Sequence, residues 1–385
     1  MAIVPGWVSS ATCIDGDYLR QRRDLFTCDW RFSSPIFHAR HDVNGNSRGA
    51  SRCPGEGFLA PCGHVGRPLA AVPLYYATVS GSGPMDENIE FEADSLFVRL
   101  YREVEPRLAR SLLSFRKRYP PRTFSHAGYD WPYIVAGQGD ETALLLHGMA
   151  GAYDIWWQQI EALAPHYRLI SVTYPPIDTL AGLATGLLAL LDHLGVDNVH
   201  LVGTSLGGYL AQYLMARHPD RVVDAVFGNT YPPNQILARR TRGAEPLLRI
   251  LPEGIILAAM RWNIRRSLHP AGGRSELLKA YLLEGTYRNM SKPLFLARYR
   301  TVMEWFDLPQ EPPRIPLMIL EAENDPLITP ALRAMLRETY PEAAVINLGS
   351  VGHFSYINRP IPYTQMLEAF WQATHPLGAP RKHGP

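Results

Sequence analysis

The sequence predicts an α/β fold: a doubly wound, mostly parallel sheet with a helical cap insertion and an irregular N-terminal extension. Two observations carry this. Short apolar runs recur at 142–148 (TALLLHG), 167–174 (YRLISVTY), 198–203 (NVHLVG), 222–229 (VVDAVFGN) and 315–323 (IPLMILEAE). Runs that are continuous rather than alternating suit strands covered on both faces. Helical stretches lie between them, at Ile155–Leu163, Thr179–Leu194, Leu206–Arg217 and Pro330–Tyr340, with Asp178 a candidate N-cap for the second. Strand alternating with helix is the signature of a doubly wound sheet.

Along the chain, residues 1–84 hold all four cysteines (Cys13, Cys28, Cys53 and Cys62), ten glycines and seven prolines without clear periodicity. They are expected to form a loosely ordered extension, or to precede a true translational start at Met85. Cys53, Cys62 and His64 lie close together, but their spacing matches no zinc pattern, and no metal is expected. A stapled module and a partner-binding arm are the alternatives. The stretch 91–119 (FEADSLFVRLYREVEPRLARSLLSFRKRY) then turns amphipathic. The first part of the core is assigned to 85–230, the helical insertion to 231–307 and the second part of the core to 308–385.

Among 385 residues, Lys+Arg is 38 and Asp+Glu 36, a net charge of +2, so no global field points to nucleic acid. The longest uncharged apolar stretch, Leu180 to Leu191, falls short of the roughly 18 residues of a membrane span. The N-terminus has no basic residue before its apolar part and contains Pro5 and Gly6, unlike a signal peptide. A cytoplasmic protein without an integral membrane segment is therefore expected.

The strongest local signal is Gly203-Thr204-Ser205-Leu206-Gly207-Gly208, between the apolar strand NVHLV and the helix LGGYLAQYLMAR. In that context G-x-S-x-G reads as a nucleophile elbow, a sharp turn that exposes the Ser205 hydroxyl. Gly203 and Gly207 are needed because side chains there would meet neighbouring backbone. A serine needs a base, and the base an orienting acid, both at later strand ends. Asp325 follows IPLMILEAE, and His353, preceded by Gly352, follows AVINLGS. Glu321, Glu323 and Asp307 are alternative acids. An oxyanion needs preorganised N–H donors. The candidates are Leu206, next to the serine, and Met149, in the loop His147-Gly148-Met149-Ala150-Gly151. His147 reads as a structural anchor of that loop, with Gly148 as its motif glycine.

In this order, HGMAG, GTSLGG, ENDPLI and the GH of SVGHF resemble the α/β-hydrolase superfamily, over about Trp131 to Trp371. Within it, LLDHLGVDNVHLVGTSLGGYLAQYL and RVVDAVFGNTY look like the maspardin branch. That branch lacks the His-Gly pair and has Asn where the catalytic histidine belongs. This chain has His147-Gly148 and His353, so a complete triad is expected. Superfamily members that open epoxides or remove halogens use an aspartate nucleophile, so Ser205 implies acyl transfer. The expectation is a serine hydrolase acting on a small-molecule carboxylester, thioester or lactone, without cofactor. A maspardin-like binding protein and an acyltransferase are the rivals.

Residues 231–300 carry eleven Arg and two Lys against four Glu, including Arg239-Arg240-Thr241-Arg242 and Arg265-Arg266. They read as a solvated helical face, with a cationic lid for anionic esters as the sharper alternative. The segments Ile255–Met260 and Leu294–Ala297, with Trp262 and Trp305, are expected to form the lid's own core, an acyl pocket being the alternative.

Overall fold

The computed structural model describes residues 94–235, 243–310 and 313–375. The four cysteines, the 1–84 extension and the Arg239–Arg242 cluster lie outside these. Eight strands form one sheet in the order β1-β2-β4-β3-β5-β6-β7-β8. These are β1 (Arg122–His126), β2 (Tyr129–Ala136), β3 (Thr142–Leu146), β4 (Arg168–Val172), β5 (Val199–Thr204), β6 (Val222–Gly228), β7 (Leu317–Glu321) and β8 (Ala344–Asn347). The β1–β2 and β2–β4 pairs are antiparallel, and every pair from β4 to β8 is parallel. The five apolar runs are β3 to β7. Every residue of β3 and β5 is buried, as expected of strands covered on both faces.

Two helical layers cover the sheet. The helices of the first half are α1 (Ser95–Tyr101), α2 (Pro106–Arg118), α3 (Trp157–Leu163), α4 (Leu180–His193) and α5 (Leu206–Arg217). The insertion carries α6 (Glu245–Ile250), α7 (Glu253–Asn263), α8 (Glu276–Arg288) and α9 (Lys292–Met303), and α10 (Pro330–Thr339) and α11 (Pro360–Thr374) follow. One core joins Trp156, Trp157, Tyr363 and Trp371 to one sheet face. The other joins Leu187, Leu190, Tyr209 and Leu336 to the opposite face. Among the described residues no helix is long and apolar enough to cross a membrane.

The strand order reverses between β3 and β5: β4 lies to one side of β3, while β5 and β6 lie to the other. At such a switch point the loops after the two central strands diverge and leave a crevice. Leu146 at the end of β3 pairs with Gly203 near the end of β5, so the HGMAG loop and the Ser205 turn emerge side by side.

Two expectations need correction. Thr179, not Asp178, caps α4: its extended backbone lets its hydroxyl accept from Gly182 N, while Asp178 pairs with Arg300 at 2.5 Å. Ile255, Trp262 and Trp305 are not lid core, being 53%, 62% and 37% exposed. Ile256 and Ile264 are buried, which leaves Ile255 and Trp262, seven positions apart, on the outward stripe of α7. Many of the insertion's charges are also matched internally. Arg249 and Arg300 bind Glu245, Arg288 binds Glu284, and Lys279 binds Glu276.

α1 and α2 pack around a cluster of buried charge. Arg116 of α2 donates to Asp154 at 2.7 Å and to both oxygens of Glu284 on α8 at 3.0 Å. Tyr101 donates to Glu284 at 2.8 Å and Tyr281 to Asp154 at 2.6 Å. Burial works against the charge of Arg116, but Asp154 and Glu284 outweigh it and hold its pKa above the ordinary arginine value. Removing one member of a fully buried charge pair costs about 3–5 kcal/mol, because its partner stays behind uncompensated. Arg116 keeps 25% of its side chain exposed, so Arg116→Met should cost about 2–3 kcal/mol, toward or just below the low end of that range. Urea unfolding checks this, and a variant as stable as the wild type contradicts it.

Candidate active site

Ser205 joins β5 to α5 with φ 54° and ψ −119°. Two glycines permit this. A Cβ on Gly203 would lie 2.2 Å from the Gly207 carbonyl oxygen, and one on Gly207 would lie 2.1 Å from that of Leu146. Both distances are far below van der Waals contact, so the predicted motif glycines are required by close backbone approach. The turn is pinned from β6. Ser205 N donates to Gly228 O at 3.0 Å, and the Thr230 hydroxyl donates to Ser205 O at 2.8 Å. Leu206 is the first residue of α5, whose N-cap side chain makes no capping bond. The amides of the first turn therefore lack a side-chain acceptor at the positive end of the helix dipole.

The HGMAG loop runs beside the serine: a Cβ on Gly148 would lie 3.2 Å from Ser205 Cβ and 3.8 Å from its Oγ. His147 is fully buried. Its Nδ1 lies 2.7 Å from Gly148 O, and Tyr174 N–H donates to its Nε2 at 3.3 Å, which makes Nδ1 the protonated nitrogen. Its ring stacks on Tyr174 at 3.8 Å. Burial, and then the charge of Arg298, push its pKa well below the ordinary histidine value. Both ring nitrogens are thus engaged in holding the loop.

Asp325 lies beyond β7 and His353 beyond β8. His353 Nδ1 lies 2.8 Å from Asp325 Oδ2 and 3.0 Å from Oδ1, and both side chains are buried. Asp325 Oδ1 also accepts from Leu327 N at 2.8 Å and Ile328 N at 3.0 Å. Two of the alternative acids are engaged elsewhere, Glu321 with Arg337 and Glu323 with Asn347. Gly352 has φ +71°, and a Cβ there would strike the Ala271–Gly272 backbone at 2.8 Å, which explains the glycine before His353.

Sequence reasoning missed Asn229, Ser355 and Arg298. Asn229, at φ 42°, donates to Asp325 Oδ2 at 2.9 Å and accepts from the Ser355 hydroxyl at 2.8 Å. The segment 228–230 therefore touches both halves of the site, Ser205 through Gly228 and Thr230, and Asp325 through Asn229. A polar residue just past the end of an apolar strand was the available signal. Arg298 of α9 reaches the HGMAG loop from the insertion, and nothing in its sequence context sets it apart from the other arginines there.

Residues 143–364 match the family model described as the alpha/beta hydrolase family. The chain belongs to the alpha/beta hydrolase family. Among curated relatives of this hydrolase-family chain, the putative carbamate hydrolase RutD of Stutzerimonas stutzeri is 26% identical over 246 residues, 59% of this chain and 89% of RutD. Maspardin of Danio rerio is 44% identical over only 70 residues, 18% of this chain and 22% of maspardin. The match thus spans about a fifth of maspardin's length. A hydrolase from Pseudomonas aeruginosa PA01 superposes with TM-score 0.56 at 19% identity, over 68% of this chain and 99% of that one. The enol-lactonase of Burkholderia xenovorans LB400 gives TM-score 0.56 at 19% identity, over 65% and 100%.

The carboxylate network has a pH consequence. Burial raises the pKa of Asp325, but the charge and hydrogen bond of His353 and the Ile328 and Leu327 amides outweigh it, and the net shift is downward. A carboxyl with a lowered folded-state pKa contributes stability that is fully present above its unfolded value of about 3.9. That stability is lost as pH falls through the folded value. The stability difference between wild type and Asp325→Asn, from urea unfolding, should be widest at neutral pH and should narrow toward pH 3. A difference that does not change with pH contradicts this assignment.

Proposed function

We propose that this protein is a serine hydrolase that cleaves a small-molecule carboxylester, thioester or lactone through an acyl-enzyme. Ser205 is the nucleophile, His353 the general base and then acid, and Asp325 the group that orients His353. The observation that carries the reading is the Asp325–His353 hydrogen bond, tied through residues 228–230 to a serine held at φ 54°.

The steps follow from these groups. His353 Nε2 takes the hydroxyl proton as Ser205 Oγ attacks the acyl carbon, and the carbonyl electrons move onto oxygen. The Met149 and Leu206 N–H groups stabilise that oxyanion; removing one such donor typically costs about 10²–10³ in rate. The tetrahedral intermediate collapses, and His353 returns the proton to the leaving alcohol or thiol. Water then attacks the acyl-enzyme with His353 again as base, which releases the acid and restores Ser205. Asp325 stays ionised throughout, as its lowered pKa requires, and compensates the imidazolium. Side chains and backbone carry every step, so the proposal calls for no cofactor.

A second reading, a binding protein without turnover, is favoured by the local identity with maspardin. Hydrolysis of short and medium p-nitrophenyl acyl esters separates the two. Ser205→Ala should lose at least about 10³-fold in kcat. A fluorophosphonate probe should label wild-type Ser205 and should fail to label His353→Ala. Equal hydrolysis by wild type and Ser205→Ala contradicts the proposal, as does a wild-type serine that the probe leaves unmodified.

A further inference from the structure

We infer that Arg298, contributed by the insertion, is a positioning residue for the oxyanion hole: it fixes the Met149 backbone and places a buried positive charge behind it. The inference rests on the serine-hydrolase reading and goes beyond it, because nothing in that mechanism requires a residue of the insertion.

Arg298 is only 2% exposed and lies on the inward face of α9, flanked by the buried Ala297 and Thr301. Its Nη1 donates to the carbonyls of Met149 at 2.6 Å and Gly151 at 3.0 Å, and its Nη2 to that of Tyr174 at 3.3 Å. Met149 and Gly151 belong to the loop that runs beside Ser205, and Tyr174 is the residue on which His147 stacks. One guanidinium thus gathers the carbonyls around the oxyanion loop. The planar, multi-donor fork of arginine suits this task, where a single-point donor would hold less of the backbone.

The character of the partners sets Arg298 apart. Arg249, Arg288 and Arg300 of the same insertion each meet a carboxylate. Arg298 instead donates to neutral carbonyl dipoles and lies over the Tyr174 ring, and its buried Nε has no hydrogen-bond partner among the described residues. Burying a cation without a counter-ion is costly, and burial lowers its pKa to about 10. The fold tolerates this cost next to the place where the proposed reaction develops negative charge. Standard bond lengths place the Met149 amide nitrogen within about 6 Å of the guanidinium that holds its carbonyl. The charge therefore lies close to the proposed oxyanion, and because the guanidinium is itself buried it acts at a lower effective dielectric than a surface arginine would. The same charge helps to keep His147 neutral, so that its Nε2 continues to accept from Tyr174.

Two variants of the full-length protein test this, Arg298→Met and Arg298→Lys, with Ser205→Ala as the control for the underlying reading. Arg298→Met should lower kcat on p-nitrophenyl esters and the fluorophosphonate labelling rate by about 10–100-fold, below the loss of a whole donor because Met149 N–H remains. KM should change less than about threefold, since the charge acts on the transition state rather than on the neutral ester. Inhibition by an alkylboronic acid, which forms a tetrahedral anion on the serine, should weaken in proportion to kcat.

Arg298→Lys restores the charge only while the lysine is protonated, and a buried lysine loses its proton far more readily than arginine. Its kcat should therefore approach wild type at low pH and fall along a new alkaline limb that the wild type lacks. This variant decides the matter if Arg298→Met does not fold. A lysine variant without the new limb overturns the inference. So does a methionine variant whose kcat is within about threefold of wild type, or whose losses fall equally on KM and kcat. Full activity in Ser205→Ala, or a wild type that the probe does not label, overturns the serine-hydrolase reading instead.

Discussion

A serine at φ 54° and ψ −119° lies outside the backbone regions open to most L-residues, at a cost of roughly 1–3 kcal/mol. The fold holds it there from several directions. Gly203 and Gly207 let three stretches of backbone approach more closely than any Cβ would allow. Gly228 and Thr230 at the end of β6 bind both sides of the Ser205 peptide. The turn leaves the Ser205 side chain beside the HGMAG loop, which the switch between β3 and β5 brings alongside.

Much of this was legible in the sequence because each part depends on local chemistry. The continuous apolar runs marked the parallel strands, and the glycines of GTSLGG and VGH marked backbone that tolerates no side chain. Asp325 could be ranked above Glu321 because a carboxylate just beyond a strand end is free to reach a histidine, whereas Glu321, the last residue of β7, turns to Arg337. Harder to read was anything that depends on contacts between distant segments. Asn229 and Ser355 act together across 126 residues of sequence. The solvent-facing stripe of α7 was misread as core, since apolar content alone does not say which side of a helix is covered. The antiparallel β1–β2 hairpin, half exposed, lacks the continuous runs that announced the other strands.

The insertion does more than cover one end of the sheet. Three of its polar contacts with the rest of the chain differ in kind. Arg116, Asp154, Glu284 and two tyrosines form a compensated cluster that ties it to α2. Asn324 donates to Ala271 O at 2.8 Å and accepts from Gly352 N, linking the insertion to the loops that carry Asp325 and His353. Arg298, by contrast, meets backbone carbonyls of the HGMAG loop rather than a carboxylate. In the proposed mechanism, the placement of the insertion would bear on both the base and the oxyanion donors.

The central claim is that Ser205 becomes covalently acylated. Rapid mixing with p-nitrophenyl acetate, an acid quench within milliseconds and intact-mass analysis with peptide mapping test it directly. The account predicts a transient species heavier by one acetyl group, with the added mass on the peptide that contains Ser205, in step with the first release of p-nitrophenol. Hydrolysis of the ester with no acyl adduct at any time point, or with an adduct on another residue, would contradict it.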